Sequence, residues 1–251
     1  MSDSSTRPIN GLIEAIRFLT ILPLPGLPAM SEQSVARAIP WFPAAGLVIG
    51  GALVMVDTLS RPLWGDLTAA VLVVATWGII TGGLHLDGLS DTFDAVMSWR
   101  SRERKLEIMK DSRIGAMGAI ALIVLILLKV ALIAGATVAW PALLLAPMLG
   151  RWADCYGIYR FPPAREGGLG RTFNAQVRQR DLLMASLLMI GSAWFIAGFT
   201  GIIASALVLV VAHLLARWWV RDLGGLTGDT YGALCEIGEV VALAALTIRL
   251  A

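Results

Sequence analysis

The chain has 251 residues, 57% of them hydrophobic and only 15% charged, with a mean hydropathy of +0.75. A soluble domain carries about 25% charged residues, so an ordinary water-facing surface is excluded. The formal net charge of +2 does not mark a nucleic-acid-binding protein, and Cys155 and Cys235 lack the spacing of a zinc or redox motif, so they read as buried small side chains.

In chain order, the polar start Met1–Asn10 shows no signal-peptide pattern. The stretch from Gly11 to Leu24 begins as an amphipathic helix and stops at Pro23 and Pro25. With Glu14 and Arg17 it is too short and too charged to cross a bilayer, which predicts a helix lying in the interface. A polar segment with Glu32 and Arg37 follows. Apolar runs near the roughly 20 residues of a span then predict crossings at about Trp41–Thr58 and Leu67–Leu84, joined by a turn around Arg61, Pro62 and Asp66. Residues 95–113 alternate in charge and predict a surface helix. Further spans are predicted at about Ile114–Ala134, Val138–Tyr159, Leu182–Phe199, Ile202–Val220 and Ala233–Ala251.

The expectation is an all-α polytopic membrane bundle of about seven transmembrane helices plus the N-terminal interfacial helix, forming a single domain over 1–251. The loops 95–113, 160–181 and 217–231 hold nearly all the loop arginines and lysines. The positive-inside rule therefore puts these loops and the N-terminal arm on the cytoplasmic side. No internal repeat or low-complexity tract is visible.

The chemistry concentrates in Gly82-Gly83-Leu84-His85-Leu86-Asp87-Gly88-Leu89-Ser90-Asp91-Thr92-Phe93-Asp94. Asp87, Asp91 and Asp94 fall at i, i+4 and i+7, within an arc of about 60° on a helix. Acids so close repel one another, and a hard cation such as Mg²⁺, alone or as a bridged pair, reconciles them. Gly82, Gly83 and Gly88 suggest a broken helix lining a polar cavity. On a continuous helix His85 would point away from the acids; a break at Gly88 would let it join them as ligand or base.

Lys110-Asp111-Ser112-Arg113 starts a span on the same face and suits a phosphate clamp, the alternative being a snorkelling basic collar. Gly224-Gly225-Leu226-Thr227-Gly228-Asp229 leads into the last span. Its backbone amides could meet a phosphate, or Thr227 or Asp229 could simply cap the helix. Glu236 and Glu239 share a face with Asp229 at i+7 and i+10. Arg151 and Asp154 are expected to pair internally, and Lys129 and His213 read as structural.

"GGLHLDGLSDTFDA", "RERKLEIMKDSRIGAMG" and "GGLTGDTYGALCEIGE" closely resemble the signatures of the cobalamin synthase family, the adenosylcobinamide-GDP ribazoletransferases. "RFLTILPLP" and "IPWFPAAGLVIG" extend the likeness toward the N-terminus. The resemblance implies a Mg²⁺-dependent enzyme of the bacterial inner membrane, active on the cytoplasmic side, at the end of vitamin B12 nucleotide-loop assembly. Such an enzyme joins α-ribazole or its 5′-phosphate to adenosylcobinamide-GDP and releases GMP. It transfers a substituted phosphate group, as membrane CDP-alcohol phosphotransferases do, whose D-G-x-x-A-R pattern is absent here.

On that reading Asp87, Asp91 and Asp94 hold the metal. Lys110, Asp111, Ser112, Arg113, Thr227, Gly228, Asp229, Glu236 and Glu239 form the candidate substrate-binding set, with Lys110 and Arg113 on phosphate oxygens. His85 or a carboxylate, Asp91 being the candidate, takes the hydroxyl proton. The partners are the two substrates and the bilayer, with no nucleic acid. A homo-oligomer, or contact with other corrinoid-pathway enzymes, stays open. The competing class is an ion-coupled transporter, which also uses intramembrane acids and broken helices but is built on repeats with its site at the midplane.

Overall fold

A computed structural model describes residues 8–24, 30–167 and 169–248, and these form helices joined by short connections. The helices are α1 (Pro8–Leu19), α2 (Glu32–Ala38), α3 (Phe42–Ile80), α4 (Leu84–Val96), α5 (Arg102–Ile108), α6 (Ala116–Gly135), α7 (Trp140–Arg160), α8 (Leu169–Gln176), α9 (Gln179–Leu223) and α10 (Gly228–Thr247). No strand occurs among the described residues; Pro163 and Leu226 form one isolated parallel bridge. Four helical stretches, 32–80, α6, α9 and α10, are long and apolar enough to cross a membrane. The chain is thus an all-helical membrane protein.

Two of these stretches double back. Gly65 adopts φ +76° inside α3, and the two ends of that helix return to one place: Phe42 stacks on Phe18 at 5.9 Å, and the Ile80 carbonyl accepts from the Ile21 amide at 2.8 Å. A straight helix of 39 residues would separate those ends by almost 60 Å at 1.5 Å per residue. Gly198 (φ +56°) turns α9 in the same way. Trp152 and Tyr156, one turn apart on α7, bond Ser186 and His213 from the two arms of α9.

The expected break between spans near Arg61–Asp66 is therefore present. Arg61 bonds Asp57 at 2.7 Å and Asp66 at 2.6 Å across it and reaches the Ile133 carbonyl at the end of α6.

At the centre stands α7, buried along most of its length, with α3 and α10 as its largest neighbours. Backbone contact with α3 is made through Gly46 and Gly50, where a Cβ would lie 2.5 Å from Met148 Cα and 2.6 Å from the Leu144 carbonyl. In lipid such small residues let dispersion contacts and close packing hold helices together. Not among the four apolar stretches, α7 carries Arg151 and Asp154, both buried by protein.

The basic loops gather at one end of the bundle. Arg102 donates to the Leu223 and Ala164 carbonyls, Lys105 pairs with Asp222 at 2.6 Å, and Arg165 donates to the Leu106 carbonyl at 2.8 Å.

Some boundaries differ from expectation. The N-terminal helix ends at Leu19, short of Pro23, and Pro25 lies outside the described residues. The loop 160–181 contains α8, whose Thr172 bonds Glu32 of α2 at 2.6 Å. The last helix starts at Gly228 because Thr227 caps it, accepting from the Thr230 amide at 3.2 Å.

Candidate active site

Helix α4 begins after two consecutive left-handed residues, Gly82 (φ +60°) and Gly83 (φ +68°), a conformation that costs a side-chain-bearing residue about 1–2 kcal/mol. From Leu84 it runs unbroken through Gly88 to Val96. The anticipated break thus falls before the acidic stretch, not within it. Gly88 serves close approach instead: a Cβ there would lie 2.8 Å from the Asp229 carbonyl oxygen. That contact seats the first turn of α10 on α4 and brings Asp229 to the aspartate face.

Neither Asp87 nor Asp91 has a hydrogen-bond or ion-pair partner among the described residues. Burial pushes the Asp91 pKa up to about 7, and the charges of Asp87, Asp229, Asp94 and Asp111 push the same way. Five carboxylates thus act on one neighbourhood with no protein cation in contact with Asp91. An all-oxygen donor set of this kind fits a hard divalent cation.

Asp94 has a different setting. Its two oxygens accept from the Gly115 amide at 2.7 Å and the Gly118 amide at 2.8 Å, capping the start of α6. Gly118 has no room for a side chain, since a Cβ would sit 2.3 Å from Ser90 Oγ.

The Lys110–Arg113 segment lies at the exposed rim. Arg113 is joined to Asp111 at 2.6 Å, which lowers the Asp111 pKa to about 2. Arg113 is thus partly neutralised by its own neighbour, while Lys110 and Ser112 have no hydrogen-bonded partner among the described residues.

His85 points away from the aspartates, as a continuous helix requires. Its Nδ1 faces Arg151 Nη2 at 3.2 Å and its Nε2 faces Asp154 at 3.6 Å. Arg151 can only donate, so Nδ1 accepts and the ring proton sits on Nε2, toward Asp154. Burial first, then the charges of Arg151 and Lys129, hold the His85 pKa well below its ordinary value.

The expected Arg151–Asp154 pair is replaced: Arg151 joins Glu239, and Asp154 keeps Oδ1 buried without a partner. Glu236 and Glu239 lie deeper than the aspartates, tied to Lys129, which is 2.7 Å from Glu236 and also bonds Glu239. Lys129 additionally lies 4.0 Å above the Trp77 ring. These two glutamates form an internal network, apart from the carboxylate surface.

Two cavities adjoin the acids. One, about 190 Å³, is lined by His85, Asp87, Gly88, Asp154, Asp229 and Tyr231 among others. The second, also about 190 Å³, lies between the 163–171 segment and the start of α10, and meets the first at Gly228 and Asp229. Its arginines, Arg165 and Arg171, carry no sequence signal beyond a basic loop.

A helical membrane bundle with unpaired aspartates converging at its basic end defines the class: an integral membrane protein with a carboxylate site at one end. The family model described as cobalamin-5-phosphate synthase matches residues 11–247. The chain belongs to that family.

Among similar proteins, one from Roseiflexus sp. (strain RS-1) is 62% identical over 96% of this chain and 90% of its own length. Others come from Herpetosiphon aurantiacus, 54% identical over 94% and 95%, and Desulfitobacterium hafniense, 39% identical over 91% and 93%. All three bear the name adenosylcobinamide-GDP ribazoletransferase. No solved structure matches the chain.

Proposed function

We propose that this chain is a ribazoletransferase of cobalamin assembly, acting with Mg²⁺ on adenosylcobinamide-GDP and α-ribazole or its 5′-phosphate. The observation that carries the site is the convergence of Asp87, Asp91 and Asp229 without protein cations in contact with Asp87 or Asp91. In the reaction a ribazole hydroxyl oxygen bonds to the phosphorus on the cobinamide side of the pyrophosphate. The bond from that phosphorus to GMP breaks, and GMP departs with the electron pair.

Asp87, Asp91 and Asp229 would hold Mg²⁺, which offsets the pyrophosphate charge and makes GMP a better leaving group. Asp94 serves them indirectly, fixing α4 against α6 through the Gly115 and Gly118 amides. Lys110 stands free at the rim to meet phosphate oxygens. Asp154, with Oδ1 unpartnered in the wall of the first cavity, is the better placed group to take the hydroxyl proton. His85 holds it through Nε2.

Seven helical passes (42–64, 66–80, α6, α7, 179–197, 199–223 and α10) would cross the bacterial inner membrane, with the basic end in the cytoplasm.

The test is turnover by protein in detergent or liposomes, with Mg²⁺ or EDTA, following GMP and the cobalamin product by chromatography. Wild type should need Mg²⁺, and Asp91→Asn should lose about a hundredfold or more in rate. A fully active Asp91→Asn refutes the carboxylate site. No product from folded wild type refutes the transferase.

A further inference from the structure

The second cavity is chemically unlike the first. No residue of α4 lines it; its walls are Pro163, Arg165, Arg171, Leu226, Thr227 and Asp229, with small residues between. Two guanidinium groups oppose one carboxylate there, leaving a net positive lining. Arg165 is anchored, donating from Nη2 to the Leu106 carbonyl, while its Nε is buried with no partner. Arg171, exposed on α8, makes no hydrogen bond or ion pair with any described residue.

The wall itself is firmly built. The Ala164 amide donates to the Leu226 carbonyl and the Leu226 amide to the Pro162 carbonyl, each at 2.8 Å. Gly225 has no space for a Cβ, which would lie 2.5 Å from the Ala164 nitrogen. A buried donor without an acceptor is costly, and a planar guanidinium is shaped for phosphate oxygens.

We infer that Arg165 and Arg171 form a subsite for a second phosphate group, the 5′-phosphate of the incoming nucleoside, and so set the preference for α-ribazole 5′-phosphate over α-ribazole. The inference rests on the proposed transferase reading. The pyrophosphate being cleaved belongs with the α4 aspartates, so an anion held beyond Asp229 is a different one. An unphosphorylated nucleoside has no charge to offer two arginines. Because the cavities meet at Gly228 and Asp229, one nucleoside can reach from the arginines to the reacting phosphorus.

The experiment compares kcat/KM for the two nucleosides at saturating adenosylcobinamide-GDP and Mg²⁺. Wild type should favour the phosphorylated form. Arg171→Gln should shrink that ratio roughly tenfold, and Arg165→Gln with Arg171→Gln should bring it close to one. An unchanged ratio in Arg171→Gln overturns the subsite, as does a rise in KM for adenosylcobinamide-GDP in place of the nucleoside. Since Arg171 bonds nothing in the fold, its single variant decides the matter even if the double variant unfolds. Wild type that releases no GMP with either nucleoside fails the transferase reading instead, a separate outcome.

Discussion

At the scale of residues, three aspartates that look equivalent in the sequence have separate roles. Asp91 has no partner and is crowded by like charge, whereas Asp94 is saturated by two backbone amides. Asp91→Asn should therefore abolish turnover while leaving the thermal midpoint unchanged or raised, because a repulsion is relieved. Asp94→Ala should lower stability by about 0.5–2 kcal/mol, the usual cost of a lost helix cap, with Asp94→Ser restoring part of it. Thermal unfolding in detergent beside turnover separates the two effects. The i, i+4, i+7 spacing made the acidic face legible. It could not reveal that Asp94 meets amides more than 20 positions along the chain, since only packing of α4 on α6 makes that contact. Glu236 and Glu239 show the same limit: spacing puts them on the face of Asp229, but seven residues of rise carry Glu236 about 10 Å deeper, to Lys129.

At the scale of elements, glycine was the ambiguous letter. Gly82, Gly83 and Gly88 all suggested a break, and only the first two make one; Gly88 is where the α10 backbone rests. Gly88→Ala would force Asp229 away from Asp87 and Asp91. It should reduce turnover and weaken Mg²⁺ binding, measured by calorimetry, with a stability loss of about 1–3 kcal/mol from overpacking. The long spans and their order were legible because hydropathy reports them directly. The helix α8 was not, being short and polar, and neither was the arginine-lined cavity, which needs the 161–167 segment bonded against Leu226.

At the scale of the whole molecule, charge is sorted into an internal network and a basic end. Lys129→Met would leave Glu236 and Glu239 buried with Arg151 as their remaining cation, a loss of about 3–5 kcal/mol visible as a lower thermal midpoint. Replacing Lys129 and Glu236 together by apolar residues should be milder. Both native cysteines are buried, so single introduced thiols can report sidedness. Ser101→Cys should react only from the cytoplasm, and Thr137→Cys, at the other end, only from outside.

The network also bears on biogenesis. Arg151 and Asp154 find their partners on α4 and α10, so α7 alone would present bare charge to lipid at a cost of roughly 2.5–3.5 kcal/mol per residue. It must wait in the insertion machinery, or shelter against the 42–80 hairpin, until α10 is synthesised. An excised α7 should fail a glycosylation-based insertion assay, and Arg151→Leu should rescue it, although the same change would strip the finished protein of the cation that holds Glu239.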